Sequence, residues 1–272
     1  MIKRTVAKQE FNNILKNSGI ADYDNNTTQL FLHVLKINKT AFLLKDEITS
    51  QEYNAVKKLV LQRAKRYPLQ YLIKDVEFFG NTISVNKNVL IPRNETEQLC
   101  EMISKTANGK KVLDLCTGSG CIGLGIKANS SADVTLSDIS AGALKIAKQN
   151  AINNGLDVKI IKSDLFNNIT DKFDIIVSNP PYIKTNDLLD LQPEVKFEPV
   201  LALDGKADGY YFYKKIIEEA PKFLNSKGEI YFEFGVGQAK TIAKLLSKHF
   251  ECIRIVKDYY NKNRFIYAKL KD

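Results

Sequence analysis

Tryptophan is absent from the 272 residues, histidine occurs twice and cysteine four times. Cys100, Cys116, Cys121 and Cys252 form no CxxC pair beside a histidine, so neither a structural zinc site nor a disulfide framework is expected, and the thiols are read as reduced. His33 and His249 leave little room for histidine acid–base chemistry, and each reads as an ordinary helix residue. No run approaches the roughly 18 uncharged apolar residues of a membrane span. The start, MIKRTVAKQEFNN, carries basic residues with no apolar block behind them, so no export and a cytoplasmic location are expected. What is present is globular: 44% hydrophobic and 26% charged residues, with 14 Gly and 7 Pro, exclude a disordered or collagen-like chain. The length lies where single cores begin to split into domains.

The formal net charge of +9 is unevenly spread. Residues 1–75 hold 13 Lys and Arg against 7 Asp and Glu, and residues 76–272 hold 27 against 24. Lys57, Lys58, Arg63, Lys65, Arg66 and Lys74 follow one another with no acid between Glu52 and Asp75. This run reads either as a solvated helix face or as a docking surface for an acidic protein or RNA phosphates.

Up to Tyr71 the apolar spacing is helical: Phe11, Ile14, Leu15; Leu30, Phe31, Val34, Leu35; Val56, Leu59, Val60. These recurrences predict a small all-α bundle over 1–75. VEFFGNTISVN (76–86) alternates around Gly80-Asn81 and predicts a β-hairpin within a linker spanning 76–92. From Lys111 short β-rich runs, 111–115, 133–138, 158–164, 173–179, 229–235, 252–258 and 264–270, alternate with helical stretches at 119–128, 140–153, 208–224 and 237–248. That alternation predicts a doubly wound α/β domain over 93–272, with a seven-stranded, mostly parallel sheet. In such sheets ligands sit beyond the carboxyl ends of the strands, so chemistry is sought in the residues that follow each one.

After the first strand, Cys116-Thr117-Gly118-Ser119-Gly120 offers a tight turn and a helix N-terminus, without the GxGxxG spacing of a dinucleotide site. Asp138 ends the second strand, where a carboxylate accepts both ribose hydroxyls of a nucleoside or, alternatively, caps the helix beginning near Ser140. Asp164 ends the third, beside the apolar pair Leu165 and Phe166, and suits the exocyclic amine of a base.

The fourth strand ends in Asn179-Pro180-Pro181-Tyr182. Prolines neither extend a strand nor donate N–H bonds, and each holds the residue before it extended. The Pro180 carbonyl and the Asn179 side-chain oxygen then form two fixed acceptors, a match for one NH2 group, and Tyr182 supplies a flat wall. Taking both N–H protons into hydrogen bonds turns the nitrogen lone pair toward an electrophile and stabilises the positive charge that develops there, by roughly 3–4 kcal/mol per well-placed group. An activated carbon electrophile then needs no metal.

These residues resemble those of the class I S-adenosylmethionine-dependent methyltransferases whose NPPY-type motif methylates planar nitrogen, and more narrowly the release-factor glutamine methyltransferases. The resemblance extends to Pro68–Leu72, Ile91–Glu97, Glu194–Pro199 through Ala202-Leu203 to Asp208-Gly209, Glu233-Phe234-Gly235 with Gln238, and Lys257-Asp258 with Arg264. It implies a Rossmann-like fold with an N-terminal substrate-recognition domain. It also implies S-adenosyl-L-methionine as co-substrate, bound by Cys116, Thr117, Gly118, Ser119, Gly120, Asp138, Leu165 and Asn179, with no metal. Asn179, Pro180, Pro181 and Tyr182 would hold the substrate glutamine of the Gly-Gly-Gln loop of class 1 peptide chain release factors, with Asn179, Pro180 and Tyr182 catalytic. A monomer is expected, and no nucleic-acid substrate. The alternatives are methylation of an adenine exocyclic amine in DNA or RNA, disfavoured by the small charge excess of 76–272, methylation of a ribosomal-protein glutamine, and a non-catalytic adaptor that binds the methyl donor. Three positions depart from the family pattern: Cys116 and Asn94 stand where Gly and Pro are common, and Asp204-Gly205 where a Gly pair is usual.

Overall fold

The helical spacing of the first 75 residues folds, in the computed structural model of residues 1–272, into α1 (Arg4–Asn17), α2 (Tyr23–Leu35), α3 (Lys39–Leu44), α4 (Ser50–Ala64) and α5 (Leu69–Ile73). Phe11, Phe31 and Phe42 are buried at their centre, with ring centroids 5.7 Å (Phe11–Phe31) and 5.2 Å (Phe31–Phe42) apart. A capping box starts α4: Thr49 Oγ1 accepts the Glu52 N–H and Glu52 Oε2 accepts the Thr49 N–H. The one extended pairing here joins Ile2–Lys3 to Glu47–Ile48.

This unit, Met1–Lys74, takes in a distant segment, Gln192–Phe197, while Asp75–Leu191 and Glu198–Asp272 form the second unit. Within the first, Glu194 accepts hydrogen bonds from Arg63 Nη2 and Arg66 Nη2, each at 3.0 Å, and Phe197 packs edge-on against Tyr67. Two of the six cations of the run thereby share one acid. Arg63 is only 7% exposed, and its Nε donates to Asn26 at 2.7 Å; Arg66 also donates to the Gly19 carbonyl, and Lys57 pairs with Glu10. The acid that meets Arg63 lies 131 residues away along the chain. Lys58 and Lys65 stay exposed.

The β-rich runs of the second unit become β1 (Lys111–Leu115), β2 (Asp133–Asp138), β3 (Lys159–Lys162), β4 (Phe173–Ser178), β5 (Leu224–Glu233), β6 (Phe250–Lys257) and β7 (Asn263–Leu270). They form one seven-stranded sheet in the order β6-β7-β5-β4-β1-β2-β3. Pairing is parallel from β3 through β5, and β7 runs antiparallel to β5 and β6. Val112, Leu113, Ile175, Ile176 and Val177 are fully buried, as unbroken apolar runs require when helices cover both faces. Those helices include α6 (Asn94–Ser104), α7 (Cys121–Ala128), α8 (Ala141–Asn153), the short α9 (Val200–Leu203), α10 (Tyr211–Glu219) and α11 (Ala239–Leu246).

Two local differences from expectation have simple causes. The hairpin turns on Phe79-Gly80 (φ 45° and 80°) rather than Gly80-Asn81, with Phe78 paired to Asn81, because the tight turn needs two consecutive positive φ angles. Its second strand docks on α8, where the Asn150 side chain bonds both the Ser84 N–H (2.8 Å) and C=O (3.1 Å). Helix α6, outside the expected helical stretches, buries Leu99, Cys100 and Ile103 at helical spacing.

Asn94 is the first helical residue of α6, and Arg93 before it is extended (φ −103°, ψ 143°), the geometry that tolerates a following proline. Asn94→Pro is expected to raise unfolding free energy by about 0.4–1 kcal/mol in urea denaturation.

Candidate functional site

The turn after β1 is built on strained and stitched backbone. Cys116 has φ 62°, in the left-handed region that favours glycine, and the Thr117 N–H bonds the Ser137 carbonyl at the end of β2. Asp114, fully buried within β1, accepts the Thr117 hydroxyl at 2.5 Å and the Gly123 N–H at 2.9 Å, tying the turn to the start of α7. Burial pushes its carboxyl up to about 7. The two turn glycines differ. A Cβ on Gly118 would meet nothing within 4 Å, leaving the backbone open to a ligand, whereas one on Gly120 would press Ala147, Leu124 and Leu136 at 3.2–3.3 Å. Gly120 therefore serves helix packing.

Asp138 ends β2 and does not itself cap α8. Its Oδ1 accepts the Ser140 N–H (2.8 Å) while Ser140 caps α8, and its Oδ2 accepts the Gly118 N–H (2.9 Å). Each oxygen keeps a lone pair for a further donor. Burial raises its carboxyl above the usual range. Leu165, after β3, also has a positive φ (47°).

Asn179 follows β4. Ser178 pairs with Phe232, so Asn179 and Glu233 leave neighbouring strand ends, where Glu233 Oε2 accepts the Thr96 hydroxyl at 2.7 Å. The rest of the NPPY turn is braced from behind by three segments. The Gly205 N–H donates to the Ile183 carbonyl at 2.7 Å, and the Ile183 N–H donates to the Leu203 carbonyl at 3.0 Å. Gln238 Nε2 donates to the carbonyls of Tyr182 and Gly209 (both 3.2 Å), and its Oε1 accepts the Gly235 N–H (2.9 Å). Gly235 lets the Tyr182 ring lie close, since a Cβ there would stand 2.9 Å from Tyr182 Cδ2.

One cleft of ≈ 390 Å³ gathers Cys116, Thr117, Gly118, Ser119, Asp138, Asp164, Leu165, Asn179 and Pro181. Gly120, Pro180 and Tyr182 do not line it. Thr96, Arg93 and Tyr211 do, and the sequence reading assigned none of them a role. The open Gly118 backbone, the acceptor Asp138 and the apolar Leu165 fit a nucleoside-bearing methyl donor.

Residues 94–194 match the methyltransferase small domain and residues 7–73 the PrmC N-terminal domain. A release factor glutamine methyltransferase of Thermodesulfovibrio yellowstonii is 43% identical over 241 residues, covering 85% of this chain and 86% of that protein. The chain belongs to the release factor glutamine methyltransferase family. A second member, from Fusobacterium nucleatum, is 38% identical over 268 residues, 94% of this chain and 75% of its own. Among solved structures, a methyltransferase from Pyrococcus furiosus shares the fold with a TM-score of 0.55 at 17% identity, over 70% of this chain and 89% of that one. Like its relatives the chain is a methyltransferase. No helix is long and apolar enough to cross a membrane.

Two of the three departures from the family pattern fall where backbone geometry explains the common residue. Position 116 has positive φ, which suits Gly; position 94 opens a helix, which suits Pro. Of the pair 204–205, Asp204 has room for a side chain, which accepts the Thr185 hydroxyl at 2.7 Å, while a Cβ on Gly205 would sit 2.7 Å from Tyr182 Cα. Gly205→Ala must displace backbone, so a loss of about 1–3 kcal/mol in urea unfolding is expected.

Proposed function

We propose that this chain transfers the methyl group of S-adenosyl-L-methionine to the side-chain amide nitrogen of the glutamine in the Gly-Gly-Gln loop of class 1 peptide chain release factors, in the cytoplasm. Asn179 carries the reading: it follows β4 and lines the same cleft as Gly118 and Asp138. Family membership at 43% identity over 86% of a relative named for this activity supports the substrate.

In this reading Asp138 accepts the ribose hydroxyls of the donor, the turn Cys116–Gly120 lies under its amino-acid end, and Leu165 forms an apolar wall. The donor supplies a methyl carbon activated by the adjacent sulfonium. Asn179 Oδ1 and the Pro180 carbonyl each take one N–H of the substrate amide, and Tyr182 packs on its plane. The nitrogen lone pair then faces the methyl carbon in line with the breaking S–C bond. As the N–C bond forms, the two acceptors stabilise the growing positive charge, and one nitrogen proton leaves to solvent. Positioning and exclusion of water, rather than a titrating base at the nitrogen, supply most of the acceleration.

Asn179→Ala is expected to lower kcat about 10²- to 10³-fold, measured by radiolabelled methyl transfer to purified release factor, with donor affinity by calorimetry little changed. Near-normal turnover would sink the proposal. Asp138→Ala is expected to act the other way, weakening donor binding about 30- to 150-fold, the equivalent of about 2–3 kcal/mol for lost hydrogen bonds to a charged acceptor. Label found on RNA or a ribosomal protein instead, mapped by mass spectrometry, would redirect the substrate assignment.

A further inference from the structure

The two acceptors proposed for the reacting amide leave the rest of a bound polypeptide unread. Three cations line the same cleft: Lys87, Arg93 and Lys206. Lys87 stands on the side of α8, where its neighbour Asn88 packs against Gly142. Arg93 and Lys206 are each held by an acid of their own. Arg93 Nη2 donates to Glu198 Oε1, and Glu198 Oε2 also accepts the Ile91 N–H at 2.9 Å.

Lys206 is fixed beside the NPPY turn through its backbone. Its carbonyl accepts the Thr185 N–H at 3.2 Å, and Gly205 before it donates to the Ile183 carbonyl and lies against Tyr182. Its φ is 69°, a conformation that a lysine adopts only where the surroundings impose it. Asp204 does so: its Oδ1 accepts the Lys206 N–H at 2.9 Å and the Thr185 hydroxyl at 2.7 Å, and its Oδ2 accepts from the Lys206 ammonium at 3.0 Å. The Asp204 side chain is 14% exposed and that of Lys206 is 50% exposed. An ammonium carries three N–H donors, and only one is directed at Asp204. The others are available to a ligand at the cleft wall.

Charge decides which ligand that is. Asp204 balances Lys206 as Glu198 balances Arg93, so an incoming carboxylate would meet an acid already in place, and like charges brought together cost affinity. A peptide carbonyl accepts the same N–H without that repulsion. We propose that Lys206 is a substrate-binding residue: its ammonium, tethered by Asp204, donates to a main-chain carbonyl of the polypeptide segment that carries the methylated glutamine. Such a carbonyl is most open where the adjacent residues lack side chains. The contact therefore favours a glycine-flanked glutamine over one between bulky neighbours.

Lys206→Gly isolates the contact. Glycine suits the positive φ, and Asp204 keeps the Thr185 hydroxyl and the backbone N–H of residue 206 as donors. In methyl transfer to purified release factor, KM for that protein rises about 5- to 20-fold, as loss of a hydrogen bond from a charged group requires. Both kcat and the affinity for S-adenosylmethionine change less than twofold. Lys206→Met, which keeps the stem and the backbone strain without a donor, gives the same rise, and Lys206→Arg restores KM to within about threefold of wild type. The rise is equal at low and high salt, because a neutral acceptor is not screened.

The contact rests on the proposed glutamine methylation, so a second arm dispenses with turnover. With S-adenosylhomocysteine in the donor site, the Kd of release factor, measured by calorimetry, rises in Lys206→Gly by the same factor as KM. An unchanged KM and Kd in Lys206→Gly overturn the proposal. So does a rise that Lys206→Met does not share, which is a backbone effect, and so does a rise confined to low salt, which assigns Lys206 to an anionic group of the partner. Wild type that binds release factor with the Lys206 dependence yet methylates no glutamine refutes the substrate reading and leaves the carbonyl contact standing.

Discussion

The cleft depends on one pairing, that of β1 with β4. Leu115 and Ser178 are opposite one another at its end, and the Ser178 hydroxyl donates to the Leu115 carbonyl at 2.5 Å. Because the strands are parallel, both chains leave the sheet at the same edge. The turn 116–120 and the turn 179–182 therefore become neighbours, although 63 residues separate Leu115 from Ser178. Beyond β1 the order runs outward to β2 and β3, and then returns to β4 on the other side, which makes this the topological switch point. Asp138 and Leu165 reach the same cleft because β2 and β3 run parallel to β1.

A site so placed is held by atoms behind it. Three glycines, 205, 209 and 235, allow backbone or ring to approach the NPPY turn at distances no Cβ permits, and Gln238 spans the gap between two of those segments. Buried acids do the same from within: Asp114 stitches the first turn and Glu233 ties the end of β5 to Thr96 of α6. Their desolvation opposes ionisation, and each is met by hydroxyl or amide donors that partly offset it. The helical unit shows the same logic with opposite sign. Arg63 and Arg66 converge on Glu194, and a buried guanidinium is tolerable only because an acid and Asn26 satisfy it.

Much of this was legible beforehand. Hydrophobic periodicity marks all seven strands, with β5 beginning at Leu224 rather than 229, and the central parallel strands are the clearest because cover on both faces requires apolar runs; Asp138 and Asn179 stand out because they lie at the ends of such strands. Helix α6 was missed although its stripe was present, and the hairpin turn was placed one residue late. The charge run left its own surroundings open for a different reason. An acid-free stretch of sequence says nothing about acids brought to it from elsewhere, and Glu194 arrives from beyond the NPPY motif.

Sequence by itself determined the strand and helix pattern, the tetrapeptide Asn179–Tyr182 with its restricted backbone, and the family, because these reside in local periodicity and in residue types at fixed spacing. Tertiary structure alone decided which turn glycine faces open space, that Glu233 bonds Thr96, and that Arg63 meets Glu194. Each of those is a contact between residues far apart along the chain, and only the order of strands in the sheet and the packing of helices bring such partners within bonding distance.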